Sequence, residues 1–195
     1  MSNDIVRIVE KIVSLSMSSD DDHGYPHIVR VRRIAMAIAS KYSDVDLEIL
    51  ELATLLHDIG RNRCVDNHAK CSAEIAREIL SLLGYDSSKI ERVVDAILAH
   101  SYTYGYRPRY IEGMILSDAD KIDALGAIGI ARVFLYSGKI GRGIEDAIRH
   151  IKEKILRLPD MMYTDEGRRI AFRRIEIVKR FIEEIENEIK QTDIF

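Results

Sequence analysis

Apolar residues recur at three- and four-residue intervals along almost the whole chain, as in Ile5, Ile8, Val9, Ile12 and Val13, and again in Ile28, Val31, Ile34, Ala35 and Ile38. That period follows the turn of a helix and gathers the apolar side chains on one face. No segment alternates apolar and polar residues like a half-buried strand, so the pattern predicts an all-α fold. Pro26 stands where a first helical turn tolerates proline, Gly60 and Gly84 follow apolar runs as C-terminal stops, and Ser88 with Glu91 spells a capping box. These signals cut the chain into about eight helices, over 4–18, 26–42, 45–59, 69–83, 88–100, 110–136, 144–158 and 165–190. The helix over 110–136 carries Ala119, Ala124, Gly126, Ala127, Gly129 and Ala131, small residues expected to let a neighbouring helix approach closely. Glu183, Glu184, Glu186 and Glu188 form a solvated face around an isoleucine stripe in the last helix.

At 195 residues and 47% apolar content the chain can bury one sizeable core, and a single domain over 1–195 is expected. Its 29 basic and 32 acidic residues leave a formal charge of −3, which gives no field to gather nucleic acid or membrane. A small-molecule partner fits better, and the pattern specifies no oligomeric state. No stretch approaches the roughly 20 apolar residues of a membrane span, and the basic-then-apolar start of a signal peptide is lacking, so a cytoplasmic location is expected. Cys64 and Cys71 are too few and too oddly spaced for a disulfide framework or a zinc ribbon and read as free or buried thiols.

Chemistry enters at Leu55-Leu56-His57-Asp58-Ile59-Gly60, where two metal-competent side chains end a strongly apolar helix. A buried carboxylate needs a cation or several donors to stay ionised, and the adjacent imidazole can offer a neutral nitrogen to the same cation. His27 falls in the first turn of an earlier helix, and Asp120 lies in the polar cluster Ser117-Asp118-Ala119-Asp120-Lys121-Ile122-Asp123 of a later one. Three helices can thus converge on one ion. Two imidazoles and two carboxylates suit Mn, Fe, Co, Ni or Zn, with Mg also compatible, better than Ca, which prefers oxygen alone.

The order His27, His57-Asp58, Asp120 resembles the signature of the HD-domain superfamily of metal-dependent phosphohydrolases, over roughly residues 20–135. The wording His27-Ile28-Val29-Arg30-Val31, Leu56-His57-Asp58-Ile59-Gly60 and Asp118-Ala119-Asp120-Lys121-Ile122-Asp123-Ala124-Leu125-Gly126 is similar to a branch of small bacterial and archaeal members. The resemblance implies a single HD-type helical domain, with the helices over 144–190 packed on the signature region. It implies His27, His57, Asp58 and Asp120 as ligands of a divalent metal, Asp120 being the aspartate of the Ala-Asp dipeptide, with Asp118 as the alternative. His68 and His100 resemble positions that ligate a second ion in two-metal members. The other reading caps a helix with His68 and leaves His100 to donate a hydrogen bond. Gly24-Tyr25-Pro26 spells the tripeptide of a cyclic-dinucleotide-degrading branch but lies upstream of the HD pair, on the wrong side of it, and counts for little.

A divalent ion so held lowers the pKa of water and polarises a phosphoryl oxygen, which points to hydrolysis of a small nucleotide, at a phosphomonoester or a phosphoanhydride. Asp58, Lys121 and His100 are the catalytic candidates, with His23 an alternative to His100 as proton donor to the leaving oxygen. Lys121, Arg30 and Arg61 are candidates to hold phosphate. Tyr102 and Tyr104, in the tyrosine- and arginine-rich stretch 101–110, could stack a nucleobase. Two other readings stay open: a di-iron HD-domain oxygenase, and a nucleotide sensor without turnover.

Overall fold

A computed structural model of the chain describes residues 2–21, 23–64, 66–101, 104–191 and 194. Its elements are α1 (Ser2–Ser16), α2 (Tyr25–Ala39), α3 (Leu47–Leu56), α4 (His68–Leu82), α5 (Ser87–His100), α6 (Ile111–Asp123), α7 (Gly126–Lys139), α8 (Ile144–Glu153) and α9 (Asp165–Lys190). A 3-10 helix, Ile155–Met161, lies between the last two, and no strand occurs among the described residues, as the apolar period requires. None of the described helices is long and apolar enough to cross a membrane.

The chain divides into two compact units, Met1–Asp120 and Lys121–Phe195, where its length suggests one domain. In the first, α3 is the central element and packs against α1, α2, α4 and α5. A helix that is apolar over most of its surface must be largely enclosed, and Ile49, Leu50, Leu52, Ala53, Leu55 and Leu56 are all buried. Each such leucine contributes about 1.5–3 kcal/mol relative to an exposed one. Asp46 starts α3 by accepting hydrogen bonds from the amides of Glu48, at 3.1 Å, and Ile49, at 3.3 Å. The Asp46 amide donates in turn to Glu112 Oε1 at 2.8 Å, and the fully buried Glu112 pairs with Arg92 at 2.7 Å. That carboxylate fixes the start of α3 to the first turn of α6, the helix that carries Asp120.

In the second unit α7 packs on α8 and α9, and the 3-10 helix on α8 and α9. Ala147, Ile151, Ala171, Ile175 and Val178 are among its buried residues along the helix faces. Thr164 caps α9 by accepting from the Gly167 amide at 3.0 Å.

Four local expectations are corrected. The helix over 110–136 is broken into α6 and α7 because Gly126 takes φ +72°, a left-handed turn conformation that residues with a side chain rarely adopt. Gly126 therefore serves the turn rather than close helix packing, and Arg174 Nη1 donates to the Ile122 carbonyl at 2.8 Å just before the break. Helix α5 is capped by Asp86, which accepts from the Lys89 amide at 3.0 Å; Ser88 donates to that same carboxylate, and Glu91 pairs with Arg77. Helix α3 ends at Leu56, so Gly60 is no stop signal. Cys64 and Cys71 are joined in a disulfide, their Cα atoms 6.2 Å apart, because the chain after Asp58 folds back on the first turn of α4.

Candidate metal centre

The end of α3 is where apolar burial gives way to chemistry. His57 caps the helix, and its Nδ1 donates to the Thr54 carbonyl at 2.9 Å, which fixes the tautomer and turns the Nε2 lone pair inward. His27 arrives on the first turn of α2, just after Pro26, and its Nε2 lies 3.3 Å from His57 Nε2. Asp120, near the end of α6, places Oδ1 3.4 Å from His27 Nε2 and 4.0 Å from His57 Nε2. Asp58 Oδ2 is 3.9 Å from His27 Nε2. Both histidines are fully buried, whereas 29% of the Asp120 side chain is exposed and keeps the centre open on one edge.

The other oxygen of Asp58 faces a second pair of imidazoles, His68 Nε2 at 3.6 Å and His100 Nε2 at 3.7 Å. His100 Nδ1 donates to the Ile97 carbonyl at 2.5 Å, His68 Nδ1 lies 3.2 Å from the Tyr104 hydroxyl, and His68 Nε2 accepts from Arg61 at 3.4 Å, so both rings turn Nε2 toward Asp58. Two donor groups, His27–His57–Asp58 and Asp58–His68–His100, thus share one carboxylate. Among the described residues these are the groups whose donor atoms could hold a metal ion.

The charge balance suits cations. Burial is the largest influence on Asp58 and favours its neutral form, but His57, His100 and Arg61 close by together hold the carboxyl well below the usual range. Asp120 is likewise held low against burial, by the hydrogen bond and charge of His27 and by His57. Burial pushes His57 and His68 down to about 4, so both rings are neutral at pH 7 and able to bind a cation. Asp58 Oδ1 is buried and accepts no hydrogen bond. An ionised buried oxygen without a donor, facing imidazole lone pairs, is what a cation site requires. Donors of one ion stand roughly 3 to 3.5 Å apart at ordinary metal–ligand lengths, near the 3.3 to 4.0 Å spacings of these groups.

Around these groups Arg61 Nη1 lies 3.4 Å from Asp58 Oδ2 and 3.4 Å from His68 Nε2, half-buried at the edge of the centre. Tyr104 reaches it through His68. Arg30 is tied instead to Asp21, to the carboxylate at 3.3 Å and the carbonyl at 3.0 Å, so its guanidinium serves the turn before α2. Lys121 follows Asp120 in sequence but begins the second unit, where its ammonium stands 5.4 Å from the centre of the Tyr163 ring. Tyr102 lies outside the described residues. Neither the buried Asp118 nor Asp120 belongs to the two donor groups, although Asp120 borders the first at 3.4 Å from His27, and Asp123 pairs with Arg132 at 2.7 Å. His23 stands edge-on to His27, ring centres 5.8 Å apart.

Sequence reasoning missed the supports. Gly60 is needed because a Cβ there would stand 2.6 Å from the Ser72 nitrogen; its own amide donates to Ser72 Oγ at 3.0 Å. The sequence signal was available: Cys71 and Ser72 follow His68 by one helical turn, so whatever holds them holds His68.

The HD-domain family matches residues 24–125, the stretch that contains every one of these donors. Over 93% of its length the chain is 32% identical to the protein YpgQ of Bacillus subtilis, covering 92% of that protein. The crystal structure of Bacillus subtilis YpgQ in complex with ADP superposes with a TM-score of 0.81 over 96% of both chains. An HD-superfamily hydrolase of Bacillus thuringiensis, 29% identical, gives 0.74 over 97% of this chain and 96% of its own. The chain belongs to the HD-domain family.

Proposed function

We propose that this protein is a metal-dependent phosphohydrolase acting on a small nucleotide. The observation that carries this reading is Asp58, a buried ionised carboxylate with one unpartnered oxygen, placed between two sets of imidazole nitrogens. The ADP complex of the related YpgQ supports a nucleotide as the ligand class.

His27, His57, Asp58 and Asp120 would hold the first divalent cation, with Mn, Fe, Co, Ni or Zn suited to the set and Mg compatible. Asp58, His68 and His100 form the candidate second position. A cation there supplies a Lewis acid that makes water nucleophilic near neutral pH and draws charge from a phosphoryl oxygen. The chain's own residues do the rest. Thr54 and Ile97 accept from Nδ1 of His57 and His100 through their carbonyls, which leaves Nε2 of each neutral ring as the nitrogen that could meet a cation. Arg61, already beside Asp58, is placed to counter phosphate charge as the bond to the leaving oxygen breaks. Tyr104 orients His68 and, with Tyr102, is the candidate surface for the base. Asp58 also accepts hydrogen bonds, which allows it to orient the attacking water. Lys121 remains the candidate cation adjoining Asp120 in sequence.

The test is a panel of nucleoside mono-, di- and triphosphates with chelator-stripped protein reloaded with Mn2+, read by release of phosphate or pyrophosphate. Metal-dependent turnover that vanishes in Asp58→Ala supports the reading. Nucleotide binding without turnover under any divalent ion would leave a sensor, and two bound irons with dioxygen uptake would make the protein an oxygenase.

A further inference from the structure

The turn that follows the HD pair is tied to α4 at three points, and all three lie around His68. Cys64 closes the turn, its amide donating to the Gly60 carbonyl at 3.2 Å, and it is joined through sulfur to Cys71. Cys71 lies on the first turn of α4, one helical turn after His68 and on the same face. Gly60 donates to Ser72 Oγ at 3.0 Å, and Arg61 Nη1 meets His68 Nε2 at 3.4 Å. His68 has only 16% of its side chain exposed, 3.6 Å from Asp58 Oδ1, although it is the first residue of its helix, where a side chain would otherwise project into solvent. Of the three ties the hydrogen bond to Ser72 is buried and holds Gly60, the arginine contact can exchange with water, and the sulfur bond is the covalent one. Both cysteines are half-buried, so a small reductant can reach them.

We propose that the Cys64–Cys71 disulfide positions His68 against Asp58, and that its reduction releases His68 and weakens the Asp58–His68–His100 group as a cation site. The reductant is a dithiol: it gives two electrons and two protons, the sulfur–sulfur bond breaks into two thiols, and the dithiol leaves as its own disulfide. The first half of the proposal concerns the position of an imidazole alone; the second rests on reading the group as a cation site. In the first group His27 and His57 lie on α2 and at the end of α3 and have no link to α4 through sulfur, so the effect falls on the second group.

The experiment uses the full-length chain, stripped of metal and oxidised with glutathione disulfide, then compared with the same protein treated with a dithiol and desalted under argon. Thiols are counted in denaturant. Imidazole reactivity toward diethyl pyrocarbonate is read residue by residue by mass spectrometry, without metal. Reduction is expected to raise labelling of His68 several-fold, while His57, fully buried, stays unlabelled in both states. The Cys64→Ser/Cys71→Ser double variant should match the reduced protein. In cobalt titrations reduction should weaken one class of site about tenfold, the usual effect of losing a support to a ligand, and have no effect on His68→Ala.

Failure to form the disulfide under oxidation overturns the proposal, as does unchanged His68 labelling when two thiols have been counted. A cobalt shift of the same size in His68→Ala would show a general loosening and overturn it as well. If oxidised protein binds no cobalt while His68 labelling still responds to reduction, the positioning stands and the metal reading of the site fails.

Discussion

Replacing Gly60 by alanine tests whether the metal centre is built by packing of the HD turn on α4. An added Cβ would lie 2.6 Å from the Ser72 nitrogen, 2.9 Å from the Cys71 carbonyl carbon and 3.0 Å from the Cys71 Cβ. Two of these neighbours are backbone atoms of a helix, so rotation of a side chain gives no relief. Restoring ordinary contact requires the turn and α4 to separate by about 0.8 Å, an overpacking that costs about 1–3 kcal/mol. The hydrogen bond from Gly60 to the fully buried Ser72 would stretch from 3.0 Å, adding about 1 kcal/mol. Urea denaturation should show Gly60→Ala less stable by about 2–4 kcal/mol on these grounds. The same separation moves His68 from Asp58, so cobalt affinity at that group should fall about tenfold or more. Ser72→Ala removes the hydrogen bond without the overlap and should show the same two effects at smaller size. If Gly60→Ala is as stable as the parent and binds cobalt equally well, the reasoning from turn packing to ligand position is wrong.

Glu112→Ala strips a fully buried carboxylate of its ties to Arg92 and to the Asp46 amide. A loss of about 2–4 kcal/mol is expected by urea denaturation, because a buried amide and a partly buried guanidinium are left behind; an unchanged midpoint would remove Glu112 as the link between α3 and α6. Arg61→Ala should lower kcat/KM for nucleotide hydrolysis about 10- to 100-fold with the metal content kept, and undiminished turnover would exclude it as the phosphate contact. In the metal-free protein His57 is pushed down to about 4 by burial and by His100 and His27, against the pull of Asp58 and Asp120. Unfolded, it titrates near 6.5, so between these values the unfolded chain binds more protons. Its contribution to stability is therefore complete above about pH 6.5 and is lost as the pH falls toward 4, by about 3 kcal/mol. Urea midpoints measured across that window should show the decline and should flatten in His57→Asn.

The helices were legible because apolar residues keep the helical period, and His57 and Asp58 stood out as polar residues ending an apolar helix. Asp120 was separated from Asp118 and Asp123 only by the resemblance to HD-domain proteins, and the fold brings His27, His57, Asp58 and Asp120 within 4 Å of a neighbouring polar group. Elements that depend on contacts across the chain were not legible. Gly126 reads equally as a packing residue or a turn residue until its φ is known. Ser88 with Glu91 is a valid capping pair, but Asp86 is a stronger acceptor two residues earlier and takes the Lys89 amide. The cysteines pair only because the turn after Asp58 folds back on α4, which no spacing rule states.

The central claim is that the buried imidazoles and carboxylates of the first unit form a cation site. A crystal of the metal-free protein soaked in Mn2+ and measured at the manganese absorption edge tests it directly. An anomalous peak within about 2.5 Å of His27 Nε2, His57 Nε2 and the carboxylates of Asp58 and Asp120 is the result expected. Saturating manganese that leaves this centre empty, or binds only at surface carboxylates, would contradict it.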